Sequence, residues 1–274
     1  MNVEALESDV WMFVGEAYAS VATAFVDGRD VLLVDALGSE ADADELHRVL
    51  CRQMGKRVRA IVATHWMSDH MAGLARFPQA WVIAQRHHRH AFLSQNRRVD
   101  AFHREPAVVF DNALRLRWGA HTLDLLHNPG KSMDHVSVDV PSADLVCVGD
   151  NIVGNIVYLS KADPAQIHAA IVRVRQLGRR RVVGGHMGCF GAGVLDNALH
   201  YLEQLQATVV GLRMAVVAGQ VDAAIAAIPI EQCLAPEVMP SAFEREWHLR
   251  NLEVIQAQAV FAFDAALAAR RERA

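Results

Sequence analysis

The 274-residue sequence predicts an α/β or α+β fold. Over the first 190 residues, short apolar strand-like runs alternate with helical spacing. A cluster of β-like runs from 107 to 150 interrupts that alternation as a meander. Beyond about residue 193 the chain turns helical, with long Ala/Leu/Val-rich stretches. Two regions follow: 1–190 as the α/β unit, and 191–274 as a helical extension packed on it.

Taken in order, VWMFVG and SVATAFV are β-branched and aromatic, and DGRD before VLLVDA is a tight-turn signal, so a hairpin is expected there. EADADELHRVLCRQM has helical spacing, with Leu46, Val49 and Leu50 on one face. VRAIVATH reads as a buried strand, DHMAGLARF as a helix, AWVIAQ as a strand and HHRHAFLSQN as a helix. AVVF, LRLRW, HTLDLLH, VSVDV and LVCVGD form the meander, separated by turn residues. DPAQIHAAIVRVRQLG is a helix with Asp163 as N-cap and Gly178 as its stop. RRVVGGH is a last strand, and REWHLRNLEVIQAQAVFAFDAALAARRERA one or two C-terminal helices.

Apolar residues make up 52% of the chain, ample for a large core, and the net charge of −4 argues against nucleic acid as the main partner. The one basic run, LGRRRVVGG, reads as a solvated turn before a strand. Cys51, Cys147, Cys189 and Cys233 form no C-x-x-C pair, which fits a reducing compartment, and Cys147 reads as a core residue. With neither a basic leader nor a run of about 20 apolar residues, the expectation is a cytoplasmic protein with no membrane partner.

The short chemical motifs fall just after strands, where α/β folds gather their sites. ATHWMSDHMAG holds His65, Asp69 and His70 within six residues. CVGDNIVG leaves Asp150 at the end of an apolar strand, a carboxylate that needs a partner. VVGGHMG sets His186 among glycines that let the backbone approach a ligand closely. Asp69, His70, Asp150 and His186 can hold one divalent ion and leave room for water: Zn²⁺ first, with Fe²⁺ or Mn²⁺ as alternatives.

The order and spacing of these stretches resemble the metallo-β-lactamase superfamily. THWMSDH is similar to that family's T-H-x-H-x-D-H, NPGKSMDH to P-G-H-T-x-G-H, VGD to its strand-end G-D, GGHMG to its last G-H-G, and VLLVDALGS to V-L-I-D-T-G. The likeness covers about residues 10–190. It implies a four-layer αβ/βα sandwich with the helical extension outside it, and a metal site at one edge between two sheets. It also implies two metal sites. The first would use His65, Met67 and Lys131, where two ligand positions have changed; the second would use Asp69, His70 and His186, all present, with Asp150 bridging.

The departure is one-sided, which points to a mononuclear site. Lys131 brings an ammonium to the place of the missing cation, to neutralise Asp150 or hold an anionic substrate group. Met67 fills the vacated space; a soft Cu(I) site using it with His65 is the minor alternative. His65 either bonds Asp69 or the substrate, or is a retained buried imidazole. His127 and His135 flank Lys131, and either would rescue the first site if the loop rearranged. His87, His88 and His90 cannot converge from one helix and read as a solvated helix start. Phe243 and Trp247 could reach a pocket mouth, although such aromatics are more often core, and the C-terminal helices cover a sheet face or make a homodimer contact.

The reading is a metallohydrolase that turns metal-activated water on a small ester, lactone, thioester or amide, with Asp69, Lys131 and His65 as catalytic residues. An iron-dependent redox enzyme and a catalytically inactive small-molecule binding protein are its alternatives.

Overall fold

The structure, a computed structural model, describes residues 1–94, 102–215 and 218–262. Seven strands build the first sheet, in chain order: β1 (Asn2–Ala5), β2 (Val10–Val14), β3 (Val21–Asp27), β4 (Asp30–Val34), β5 (Arg57–Val62), β6 (Trp81–Gln85) and β7 (Val108–Phe110). β1 to β4 pair antiparallel; β4 to β7 run parallel. The expected hairpin is β3–β4, closed where Asp27 faces Asp30, with Gly28 in the left-handed region (φ 56°).

The second sheet holds six strands: β8 (Ala113–Trp118), β9 (His121–His127), β10 (Val136–Val140), β11 (Leu145–Gly149), β12 (Arg181–Gly184) and β13 (Cys189–Gly191), in the spatial order β13-β12-β11-β10-β9-β8. β11 and β12 are its parallel pair.

Alternation along the strands makes the layers. In β4, Leu32 and Val34 face the second sheet while Val31 and Leu33 face outward. In β11, Leu145 and Cys147 face the first sheet while Val146 and Val148 face outward. Cys147 is thus a core residue, its thiol against Thr23. The outer face of the first sheet is covered by α1 (Glu40–His47), α2 (Ser68–Met71) and α3 (His88–Leu93), through Leu46, Met71 and Phe92. The outer face of the second is covered by α4 (Pro164–Arg175), α5 (Gly193–Ala215), α6 (Val221–Ala226) and α7 (Ala242–Ala257). The order of layers is α, β, β, α, the expected αβ/βα sandwich. The helices after residue 193 share one core with β11, β12 and α4.

Several elements depart from the sequence reading. The helix expected over DHMAGLARF is one α-turn, Ser68–Met71, followed by 3₁₀ turns at Ala72–Arg76. The backbone at Gly73 lies so close to Ala36 that a Cβ would sit 2.1 Å from its carbonyl oxygen. Past His47, the first helix widens into π-type turns over Arg48–Gln53. β1 and β13 have no counterpart in the sequence reading: β1 is exposed at every residue and β13 is three residues long, so neither carries an apolar pattern. Gln95 and Asn96, the end of the expected third helix, and residues 263–274 lie outside the described residues. Asp163 caps α4 through Ala165 N–H, and Gly178 follows it with φ 68°. The arginines of the basic run meet acids, Arg179 with Asp139, Arg180 with Asp144 and Arg181 with Glu7.

α7 is tied to the segment after β11 by buried polar groups. Its capping box joins Ser241 and Glu244, and Glu244 Oε1 also accepts from Asn155 N–H and Nδ2. Asn251 accepts from Leu159 N–H and donates to the Val157 carbonyl and Tyr201 Oη. Replacing Asn251 by Leu leaves the Leu159 N–H and the Val157 carbonyl buried without this partner, at about 1–3 kcal/mol each, while Tyr201 Oη keeps His248 Nδ1 at 2.9 Å. The expected result is a loss of about 2 kcal/mol or more in urea denaturation; a loss under about 1 kcal/mol would contradict this account of α7.

Candidate metal centre

The site lies where the parallel pair β4–β5 of the first sheet and the parallel pair β11–β12 of the second end, at one edge of the sandwich. Asp35 follows β4, residues 63–70 follow β5, Asp150 follows β11 and His186 follows β12. Asp69, His70, Asp150 and His186 each bring one ligand atom into a group whose members all lie within 4.8 Å of one another. His70, Asp150 and His186 are buried and Asp69 is partly open.

Each imidazole is oriented from behind. His70 Nδ1 stands 3.1 Å from Asp35 Oδ2, and His186 Nδ1 stands 2.7 Å from the Tyr18 carbonyl oxygen. Both contacts require a proton on Nδ1. Asp35 also accepts from Thr64 N–H and Thr64 Oγ1, so the Thr64 hydroxyl is a donor there and an acceptor toward His65 Nδ1, 3.0 Å away. All three rings therefore carry Nδ1–H and turn Nε2 inward, the tautomer metal-ligating histidines adopt.

Inward, the nitrogens meet carboxylates. His70 Nε2 lies 3.2 Å and His186 Nε2 3.3 Å from Asp150 Oδ1; His186 Nε2 lies 3.5 Å from Asp69 Oδ2; His65 Nε2 lies 3.4 Å from Asp150 Oδ2. A lone pair facing a carboxylate repels unless a proton or a metal cation sits between. Among the described residues, His65 Nε2, His70 Nε2 and Asp150 Oδ1 are buried without a hydrogen-bond partner. The donor set, two imidazoles and two carboxylates with orphaned atoms converging, fits a divalent ion. Despite burial, which opposes the charge, Asp150 and Asp69 hold His70 well above the ordinary imidazole range and push His186 up. The same imidazoles hold the buried Asp150 carboxyl well below the usual carboxylate range.

Glycines and strained residues make the approach. A Cβ on Gly185 would sit 2.2 Å from Asp150 Oδ1. Gly149, left-handed at φ 52°, lies against His135 and Thr64. Tyr18, Ala19, Asp35, Leu37 and Met187 are also left-handed although none is glycine, and such conformations cost about 1–3 kcal/mol each.

The side of Asp150 toward His65 is different. Lys131 is buried, its ammonium donating to the carbonyls of Ser160 (2.8 Å) and Tyr158 (3.3 Å) and lying 4.0 Å over the Tyr158 ring. It makes no direct ion pair with Asp150 among the described residues and acts on that carboxylate through space. Burial lowers its pKa to about 8, against the opposing pull of Asp150 and Asp69. A pocket of about 310 Å³ opens on this side, between Trp66, Met67, His87, Lys131, Met133 and Lys161.

The other sequence expectations resolve as follows. His65 faces Asp150, not Asp69. His135 offers Nε2 to the Asp150 N–H and packs Nδ1 against Asn151, while His127 Nε2 contacts the Met133 carbonyl, so neither turns toward the changed first site. His88 corrects the solvated-helix reading: it is buried and bound to Asp134 (2.9 Å), whose other oxygen accepts from Ser132. His87 lines the pocket, half-buried, and His90 is exposed. Phe243 and Trp247 of α7 do reach the site, with ring centroids 5.7 and 6.2 Å from His186. Asp35 as the holder of His70, and the Tyr18 carbonyl as the holder of His186, escaped the sequence reading. Asp35 carried a signal, a lone carboxylate ending an apolar strand; a carbonyl carries none.

A family model described as the metallo-beta-lactamase superfamily matches residues 15–186. A metallo-β-lactamase from Pontibacter korlensis superposes with a TM-score of 0.63 at 19% identity, covering 74% of this chain and 98% of its own. The DIM-1 metallo-β-lactamase gives 0.62 at 17% identity, covering 74% and 96%. Among curated proteins, an atrochrysone carboxyl ACP thioesterase of Pseudocercospora fijiensis is 27% identical over 128 residues, 47% of this chain. The match spans only 35% of that relative's length.

Because Lys131 gives up its proton more readily folded than unfolded, its charge opposes folding below about pH 8, and the penalty fades as pH rises from there toward 10.5. It is on the order of 3 kcal/mol. The stability of Lys131→Met relative to wild type is therefore expected to be higher at pH 7 than at pH 10 in denaturant titrations. A difference that does not change with pH would mean the ammonium is not buried.

Proposed function

This chain belongs to the metallo-β-lactamase superfamily, and on that premise we propose that it is a mononuclear metal-dependent hydrolase. The observation that carries the reading is the convergence of His70 Nε2, His186 Nε2, Asp69 and Asp150, with both rings fixed from behind and Asp150 Oδ1 left without a partner. Asp69, His70, Asp150 and His186 would hold the ion, Zn²⁺ in the first instance and Fe²⁺ or Mn²⁺ as alternatives. When bound, it supplies a Lewis acid and lowers the pKa of water at the site.

The protein's own groups do the rest. Asp69, the most open of the four, accepts the proton of the attacking water. Lys131 supports negative charge developing on the substrate's carbonyl oxygen from beside Asp150, in place of a second cation. His65 turns its Nε2 lone pair toward the far oxygen of Asp150, 3.4 Å away, a pair of acceptors that a substrate donor would bridge. The pocket floored by Met67 and Lys131 receives the acyl part of a small ester, lactone, thioester or amide, and its lysines and histidines favour an anionic group. The likeness to a thioesterase puts a thioester first among these.

Elemental analysis of protein purified without added metal is the test. About one ion per chain is expected, lost on Asp69→Ala and kept on His65→Ala. The double variant Met67→His, Lys131→His is expected to take up a second ion; one ion only would show that the first site is misassigned. Iron with oxygen uptake would turn the reading to redox chemistry, and no tight metal to a binding protein.

Because Asp150 and Asp69 raise the pKa of His70 and His186 against the opposing effect of burial, protons compete with the metal for these imidazoles and uptake tightens as pH rises. Calorimetry of Zn²⁺ binding at pH 7, in buffers of different ionisation enthalpy, is expected to show release of at least one proton. No release would contradict ligation by these imidazoles.

A further inference from the structure

We propose that Asp42, on α1 and remote from the reacting centre, is a positioning residue for His186. The inference rests on the metal-site reading above. Asp42 is buried, and its carboxylate faces three donors: Oδ1 accepts from Glu16 N–H (2.9 Å), and Oδ2 from Ala17 N–H (3.0 Å) and Ser39 Oγ (2.9 Å). Two successive backbone amides outside the helix are thereby clamped to it. The clamp is close: a Cβ on Gly15 would lie 2.8 Å from Asp42 Oδ2.

The clamped amides lead straight into the strained turn. Tyr18 and Ala19 are consecutive left-handed residues, φ 58° and 48°, and neither is Gly, Asn or Asp. Nothing in their own chemistry favours that conformation, so the surroundings must impose it. Asp42 imposes it from one side. On the other, the turn is closed by Gly15 N–H to the Ser20 carbonyl (2.8 Å) and by Ser20 Oγ to the Ala17 carbonyl (3.1 Å).

The conformation turns two carbonyls toward the loop that carries His186. The Tyr18 carbonyl takes the His186 Nδ1 proton at 2.7 Å, and the Ala19 carbonyl takes Met187 N–H at 2.8 Å. Tyr18 meanwhile is 53% exposed as a residue, so packing of its side chain does not explain the strain. The chain of contacts runs from Asp42 through the Glu16 and Ala17 amides and the Tyr18 carbonyl to His186 Nδ1, and fixes the direction of His186 Nε2. His70 has its carboxylate, Asp35, in direct contact; His186 has its carboxylate one turn of backbone away.

An amide at residue 42 keeps the shape but turns an NH₂ toward one of the donors, which releases the turn. The test is Zn²⁺ affinity by chelator competition on the full chain, for wild type, Asp42→Asn, His186→Ala and their combination, with melting of the metal-free proteins alongside. Losing a group that orients a metal-binding histidine weakens affinity by about 10–100-fold. Asp42→Asn is expected to weaken Zn²⁺ binding about tenfold or more beside His186, and less than about twofold in the His186→Ala chain. A merely structural Asp42 would lower the melting temperature and leave affinity alone, or lower it equally in both backgrounds; either result overturns the proposal. Gly15→Ala, whose Cβ would lie 2.8 Å from Asp42 Oδ2 and push the carboxylate off the two amides, is the second variant should Asp42→Asn not fold. It is expected to weaken binding several-fold only when His186 is present, and unchanged affinity overturns the proposal. Wild-type protein that takes up no Zn²⁺ removes the metal-site reading and this inference together. Wild type that binds while the variants match it removes the inference alone.

Discussion

Buried imidazole lone pairs facing buried carboxylates repel unless a cation stands between them. In this protein His65, His70 and His186 aim Nε2 at Asp69 and Asp150 across 3.2–3.5 Å. The rest of the edge of the sandwich is arranged to hold that unfavourable geometry. Asp35 and Thr64 fix two rings and the Tyr18 carbonyl fixes the third. Gly149 and Gly185 let the two sheets' loops close to within contact. The strain of Tyr18, Ala19, Asp35, Leu37 and Met187 is concentrated in the same loops. A layered core with strands buried on both faces provides the rigidity that such a concentration needs.

The two sides of Asp150 have diverged. Toward His70 and His186 the donors are complete. Toward His65 an apolar side chain, Met67, and an ammonium, Lys131, stand where further ligands would be expected from the family resemblance. The ammonium is not loose. It is held by the carbonyls of Tyr158 and Ser160, and that segment is held in turn by Asn251 of α7. The helical layer after residue 193 therefore does more than cover a sheet face: it fixes the backbone that cradles Lys131 and brings Phe243 and Trp247 beside His186.

Much of this was legible in the sequence. Strand alternation, the DGRD hairpin turn, the Asp163 cap and the Gly178 stop are local signals, and each element formed where local chemistry asked for it. Asp69 and His70 could be singled out as a carboxylate and an imidazole crowded into the turn after a strand, and Asp150 and His186 because each follows an apolar strand with a group that burial alone would not tolerate. Less was legible where the cause lay across the fold. DHMAGLARF has helical spacing, yet Ala36 N–H, from across the fold, donates to the His70 carbonyl at 2.7 Å, and the stretch forms a single α-turn followed by 3₁₀ turns. His88 sits in a polar run that reads as solvated, yet Asp134, 46 residues away, draws it inside. β1 pairs through its backbone alone, which side-chain patterns do not record.

The sequence by itself determined the alternation of strands and helices and the residue types available to a metal, because periodicity and strand-end polarity are properties of neighbours along the chain; the αβ/βα sandwich was legible through the resemblance of its motifs to a known family. Only the tertiary structure decided what those residues face. That His65 addresses Asp150, that Lys131 is bound by carbonyls, and that His186 is oriented by Tyr18 across 168 residues depend on distances between loops of different sheets. Backbone carbonyls do much of that orienting. Every residue carries one, so no sequence pattern marks which of them will be aimed at the site.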